Sequence, residues 1–301
     1  MGTPTPRVFW AGFALAGLGA VLFSAKAIVA KLTYRYGVDA LDVMGFRMML
    51  SLPFFLAIAW TQARRARLGH IARLDRRDGL RIVFLGFIGY YLSSFLDFVG
   101  LEYISAGLER LILFLAPTFV LLVSASFLGR RIARRQWIAM GLAYFGVALV
   151  FWGDLSLSGE GVVIGSLCVL GAAFSYALYL IGAGELVERV TATRLAAYAM
   201  SVSAAVTMAH FFALRGWDGL SVPWPVYQLS LVHAVFNTVL PTFMVMWSVA
   251  RIGAPLAAQL GLIGPVSILF LAYVFLGEPI TAMQIAGTVF VAVSAVVLGR
   301  R

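Results

Sequence analysis

From Val8 onward the chain is a succession of apolar runs, each about 18–25 residues long and closed by a charge, a glycine or a proline. A run of that length crosses a bilayer as an α-helix, whereas a barrel strand crosses in about ten residues of alternating character. Composition fixes the solvent: 62% of residues are hydrophobic and 12% charged, against about 45–50% and about 25% in an ordinary soluble domain. No single core buries that much apolar side chain. A bilayer accommodates it, provided each segment satisfies its own backbone polar groups, as a helix does. Candidate helices fall near 8–30, 40–61, 80–99, 104–127, 135–152, 160–182, 193–214, 225–249, 255–276 and 281–299. The predicted class is an all-α integral membrane protein with ten transmembrane helices, leaving little chain for a soluble domain. The first run is too long for the apolar stretch of a signal peptide, and many similar runs follow it.

The formal charge of +10 suggests nucleic acid at first sight, but the basic residues sit in short loops and line no single face, so no nucleic-acid partner is expected. Topology explains them. With the N-terminus placed inside, 17 of the 23 Lys and Arg fall in cytoplasmic segments, among them Arg64 to Arg81 and Arg130 to Arg135. Only Lys31, Arg35 and Arg215 fall outside. This positive-inside bias predicts both termini in the cytoplasm, which requires an even number of spans.

A repeat runs through the chain. Ile104-Ser105-Ala106-Gly107-Leu108 is echoed by Ile252-Gly253-Ala254-Pro255-Leu256, 148 residues on. The same offset relates Pro117 to Pro265, Phe127-Leu128-Gly129 to Phe275-Leu276-Gly277, and Gln136 to Gln284. Two five-helix halves are read, 1–153 and 154–301. Five is odd, so the second half enters from the opposite side, an inverted-topology duplication of the kind found in secondary transporters. Charge agrees: the first Phe-Leu-Gly precedes Arg130 and Arg131, the second precedes Glu278-Pro279.

Leu276-Gly277-Glu278, Gln284, Gly287 and the upstream Pro265 resemble the EamA-type family of the drug/metabolite transporter superfamily. In the first half Arg130 stands where the family has Glu, although Gln136 and Gly141 remain. Arg47 early in the second span and the turn Arg251-Ile252-Gly253-Ala254 are similar too. The resemblance spans nearly the whole chain and implies export of amino acids, other metabolites or drugs without ATP. No Gly-x-x-x-x-Gly-Lys loop contradicts that.

Ionisable residues within spans are costly and mark function by default. Lys26, Arg47, Asp97, Glu109 and Arg110 lie within a turn or two of the external ends of spans one to four. They form either a structural cluster or a substrate vestibule, in which Arg47 takes a substrate carboxylate and Asp97 or Glu109 its ammonium. Deeper positions carry Ser24, Tyr90, Tyr91, Ser93, Ser94, Ser175, Tyr176, Tyr179, His233 and Asn237; such groups either bond a neighbouring helix or line a path. His233 and Asn237, four apart, share a helix face, and an ordinary histidine titrates near neutrality, so a proton-coupling role is weighed against plain hydrogen bonding.

The substrate-binding set is therefore Ser24, Arg47, Tyr90, Ser94, Asp97, Glu109, Ser175, Tyr176, Tyr179, His233 and Asn237. Pro117, Pro241 and Pro265 bend spans as gating or shaping elements, and Glu278 of the Leu-Gly-Glu turn joins them. Gly161 and Gly165 give a small-residue packing face. Cys168, alone, forms no intrachain disulfide and no multi-cysteine metal site; no metal or cofactor is expected. No nucleophile-and-base constellation suggests an enzyme. The expected partners are a small-molecule substrate and membrane lipids. The expected activity is export of amphipathic metabolites, neutral or aromatic amino acids foremost, across a bacterial inner membrane. Drugs or nucleotide sugars, and a non-transporting assembly or interaction role, are the alternatives.

Overall fold

The computed structural model describes residues 6–69, 71–128, 132–158, 161–252, 260–261 and 263–299. All regular structure among them is helical. Eight segments are long and apolar enough to cross a membrane, from Arg7–Tyr34 to Trp224–Val245, and two shorter apolar helical segments follow at Ile263–Leu276 and Ala282–Val297.

The helices are α1 Pro6–Tyr34, α2 Ala40–Arg67, α3 Arg76–Gly86, α4 Ser93–Leu101, α5 Ala106–Leu113, α6 Ala116–Leu128, α7 Arg134–Ser158, α8 Gly161–Val190, α9 Ala192–Arg215, α10 Trp224–Ala234, α11 Leu240–Ile252, α12 Ile263–Leu271 and α13 Ala282–Gly299. A π-helical stretch, Phe87–Leu92, joins α3 to α4; another, Val235–Val239, joins α10 to α11; a third, Ala272–Leu276, ends α12. Several helices overrun the apolar stretches: α2 continues past residue 61 to Arg67 and α8 past 182 to Val190. Hydropathy marks the hydrocarbon boundary, while the helix itself continues into the polar interface.

Tryptophans mark the two interfaces. All seven are exposed: Trp10, Trp60, Trp137 and Trp247 lie near the end carrying the arginine-rich turns, and Trp152, Trp217 and Trp224 lie near the other. Amphipathic rings at both ends of an apolar bundle form the aromatic belts of a membrane protein.

Element starts recur at the offset of 148. Arg76 opens α3 and Trp224 opens α10; Phe87 and Val235 open the π stretches; Arg134 and Ala282 open α7 and α13. The two glutamines do the same work: Gln136 Oε1 accepts from Ala133 N–H at 2.7 Å and Gln284 Oε1 from Thr281 N–H at 3.2 Å, each occupying a free donor at a helix start. Packing crosses between the stretches: α1 lies on α11, α2 on α9, α4 on α8 and α7 on α13. Two of these seams are backbone-close, since a Cβ on Gly100 would sit 2.6 Å from the Gly165 carbonyl oxygen and one on Gly146 2.6 Å from that of Gly287. Gly165 and Gly161 are thus packing residues, Gly161 against Tyr103.

The prolines mark restarts more than bends. Pro117 and Pro265 are the second and third residues of α6 and α12, where a missing N–H costs no intrahelical bond. Pro241 follows the π stretch at Asn237, whose carbonyl it leaves without an i+4 donor. Pro53, which the sequence does not single out, sits in the interior of α2. Gly277 adopts φ 72°, a left-handed turn that explains glycine there; Gly129, and residues 253–256 of the second echo, lie outside the described residues.

Candidate functional site

A cavity of about 500 Å³ opens between the crossed helices. Its walls come from α1 (Phe23, Lys26), α2 (Arg47, Met48), the first π stretch and α4 (Tyr90, Ser94, Asp97), α5 and the residue after it (Arg110, Leu113, Phe114), α8 (Tyr176, Tyr179) and the second π stretch (Asn237, Thr238). It reaches the surface at exposed Val187 and Ala192, at the end carrying the arginine-rich turns.

At its inner limit stands an ion cluster. Lys26 Nζ pairs with Asp97 Oδ2 and lies 3.1 Å from Glu109 Oε1. One cation thus serves two carboxylates brought by α4 and α5, Glu109 being fully buried. The Phe98 ring lies beneath: Lys26 Nζ is 5.5 Å and Arg47 Cζ 4.8 Å from its centroid, and the buried His233 meets it edge-on at 5.5 Å. Such ring faces attract cations. Arg47 is buried, and among the described residues its Nε and Nη2 have no hydrogen-bond partner; Arg110 Nε is likewise unpartnered among them, with its guanidinium 5.6 Å from the Phe114 centroid. Gly264 makes room for Arg110, because a Cβ there would sit 2.9 Å from Nη2.

The opposite wall is aromatic. Tyr90 and Tyr179 hydroxyls are 3.1 Å apart with their rings in a T arrangement, and Tyr176 stacks on Tyr179 at 5.7 Å. Gly89 lets this happen: a Cβ there would be 2.3 Å from Tyr179 Cβ. Asn237, buried, donates through Nδ2 to the Leu22 carbonyl at 2.6 Å, tying the second π stretch to α1, and its Oδ1 has no partner among the described residues.

The structure therefore brings Arg47, Tyr90, Ser94, Asp97, Tyr176, Tyr179 and Asn237 to one cavity. The remaining candidates serve the walls. Ser24 Oγ lies 2.9 Å from the Ala20 oxygen and 3.1 Å from that of Gly264, linking α1 to α12. Ser175 Oγ donates to the Ile88 carbonyl at 2.6 Å, within the first π stretch. Glu109 lies behind Lys26, and His233 packs on Phe98. Sequence places Lys26 and Arg110 in the cluster or vestibule but not in the substrate-binding set, whereas both line the cavity; Phe23, Met48 and Phe114 carried no signal separating them from other apolar residues.

Beyond the cluster lies a second hollow of about 410 Å³ that shares no lining residue with the first. Glu278 accepts from Ala106 N–H at 3.2 Å, at the start of α5, and pairs with Lys31 at 3.3 Å. Burial raises its carboxyl above the ordinary value, with Lys31 opposing. Nearby, Arg215 pairs with Asp39 and, at 3.0 Å, with Asp42. Partial burial works against the Asp39 charge, but the Asp42 N–H and Arg215 outweigh it and hold Asp39 below its usual value. Glu102 Oε1 accepts from Ala40 N–H at 2.5 Å. Acidic side chains thus close this end over helix N-termini.

The description of the EamA-like transporter family fits residues 10–152 and, a second time, residues 163–300. The chain belongs to this family. It is 30% identical to the uncharacterized transporter YcbK of Bacillus subtilis (strain 168) over 90% of this chain and 86% of that one. It is 27% identical to the S-adenosylmethionine/S-adenosylhomocysteine transporter of Chlamydia muridarum (strain MoPn / Nigg) over 68% of each. A solved crystal structure with 17% sequence identity superposes at a TM-score of 0.61, covering 97% of this chain and 96% of its own, which establishes the shared fold. This EamA-like chain is a multi-span membrane transporter.

Proposed function

We propose that this EamA-like transporter exports small amphipathic metabolites, neutral and aromatic amino acids foremost, by exposing its cavity to either side of the plasma membrane in turn. Residues 1–153 and 154–301 act as two inverted halves with both termini cytoplasmic, and the crossed helix pairs are the surfaces that rearrange. The observation that carries this reading is the cavity itself. It is large enough for an amino acid, walled on one side by three tyrosines and on another by guanidiniums unpaired among the described residues, and it reaches the surface at the arginine-rich end. The opposite end, closed over the Lys26 cluster and the Lys31–Glu278 pair, is the external face in its shut state.

The recognition scheme follows from the walls. An apolar or aromatic body lies against Tyr90, Tyr176 and Tyr179, and its carboxylate meets Arg47, whose planar fork suits that group. Nucleoside-bearing cargo is the second reading: the chlamydial relative is named for such a substrate, and a tyrosine cluster beside guanidiniums suits a flat base with an anionic tail.

The test is transport of radiolabelled amino acids into liposomes containing the purified protein, with Arg47→Gln beside the wild type. Saturable movement of phenylalanine or leucine by the wild type, reduced by about thirtyfold or more in the variant at equal protein, is expected, since truncating one side of a buried charge pair costs at least about 2 kcal/mol. Equal transport by Arg47→Gln removes Arg47 from the site.

A further inference from the structure

We infer that the cavity recognises its cargo by an anionic group alone and accepts organic monocarboxylates that carry no ammonium, because Lys26 already holds the place between Asp97 and Glu109 that a substrate's ammonium would take. This rests on the transport reading above and specifies the charge of the cargo.

The charges around the cavity do not balance. Lys26, Arg47 and Arg110 face two carboxylates, Asp97 and Glu109, which leaves one positive charge in excess when all are ionised. Both acids are turned toward Lys26. Glu109 lies behind it, 1% exposed and off the cavity wall. Asp97 lines the wall, its Oδ2 bonded to Lys26 and its Oδ1 buried without a hydrogen-bond partner among the described residues. A cargo ammonium would therefore have to share a carboxylate already paired with Lys26, and would do so beside three cations. Lys26 acts as a tethered version of that group.

The guanidiniums, unlike the two acids, hold no ion pair among the described residues. Arg47, 5% exposed, has neither a carboxylate within ion-pair distance nor a hydrogen bond among the described residues, and rests on Phe98; Arg110 rests on Phe114 in the same way. A cation withdrawn from water is costly until an anion or water meets it. His233, the other titratable group against Phe98, does not line the cavity and offers no compensating charge. The excess charge and the unmet donors are thus both satisfied by one carboxylate, while the aromatic walls hold an uncharged body. An aromatic or branched monocarboxylic acid supplies both.

Three ligands with one ring test this on purified wild-type protein: phenylalanine, 3-phenylpropionate, which lacks the ammonium, and phenethylamine, which lacks the carboxylate. Binding is read by isothermal titration calorimetry and movement by uptake into liposomes. The expected result is 3-phenylpropionate bound at least as tightly as phenylalanine, phenethylamine weaker by about thirtyfold or more, and 3-phenylpropionate weakened to a similar degree by Arg110→Gln. Lys26→Met frees both carboxylates and brings the count to zero, so its preference shifts from 3-phenylpropionate toward phenylalanine by about tenfold; should this variant fail to fold, the wild-type trio decides. Phenylalanine bound about tenfold or more tighter than 3-phenylpropionate, or no binding of either acid, overturns the inference, and continued uptake of phenylalanine in the first case leaves the transport reading standing. Binding in the expected order with no movement of any ligand upholds the anion site and removes the transport reading for this cargo.

Discussion

Replacing Gly146 by alanine tests whether α7 and α13 are held together at backbone contact. A Cβ at this position would lie 2.6 Å from the Gly287 carbonyl oxygen and 3.0 Å from Phe290 Cβ, and one at Gly287 would lie 2.5 Å from the Gly146 oxygen. A helix carbonyl cannot swing aside as a flexible side chain can. Ordinary contact begins at 3.4 Å, so the helices must part by roughly 0.8 Å, loosening every dispersion contact along the seam. Val150 and Val291, which it buries almost completely, lose most. Overpacking of this kind costs about 1–3 kcal/mol, partly hidden by the roughly 1 kcal/mol that alanine gains over glycine in a helix. Gly141→Ala supplies the correction. It lies on the same helix, exposed, with nothing within 4 Å of its Cβ position, and so gains the propensity without the collision. The difference between the two variants therefore isolates the packing term at about 1–3 kcal/mol. Thermal unfolding in one detergent, followed by tryptophan fluorescence, should place Gly146→Ala several degrees below Gly141→Ala. Equal melting temperatures would refute backbone contact at this seam.

Glu278→Gln mimics the neutral acid and keeps an acceptor for Ala106 N–H. Because burial raises the Glu278 carboxyl, its favourable contribution is complete below the unfolded value, about 4.3, and is lost as pH rises through the raised native value. The variant should therefore match the wild type in acid and become the more stable of the two as pH increases; a wild type that gains relative to the variant with rising pH contradicts the assignment. Tyr179→Phe keeps the aromatic wall but strands the Tyr90 hydroxyl, which should lower stability by about 1 kcal/mol in the same melting assay, with no loss expected if that hydroxyl is already hydrated. Arg215→Ala removes the pairs to Asp39 and Asp42, but Arg215 is 35% and Asp39 48% exposed along the side chain. Its cost should stay within about 1 kcal/mol and shrink in high salt; a larger loss would show that this end is drier than its exposure indicates.

The membrane fold was legible because hydropathy and helix length report the same quantity, the thickness of the apolar solvent. Starts are legible as well wherever a side chain encodes them: Gln136 and Gln284 each occupy a backbone donor at the first turn of α7 and α13, and Pro117 and Pro265 sit where helices begin anew. The π stretches are not legible. Pro241 explains a defect in the chain at Asn237, but Phe87–Leu92 contains no proline, and Ser93, at the place corresponding to Pro241, retains its N–H and bonds the Ile88 carbonyl.

That hidden stretch decides which polar residues face the cavity. Ser175 and Tyr179 are four apart on α8 and share a face, yet the Ile88 carbonyl in the π stretch draws the Ser175 hydroxyl into the helix seam, while Gly89 one residue on opens the space that holds Tyr179. The choice is between two hydrogen bonds each worth about 1 kcal/mol net, and sequence contains nothing large enough to settle it. Ionisable residues differ in kind. Leaving Lys26, Asp97 or Glu109 alone in a bundle costs several kcal/mol, so each must find a partner, and convergence on one cluster follows from their shared level along the helices. What sequence cannot count is the pairing within that cluster. Five charges at one level allow several combinations, and only the placement of the Lys26 ammonium between both acids shows that Arg47 and Arg110 are the two left over.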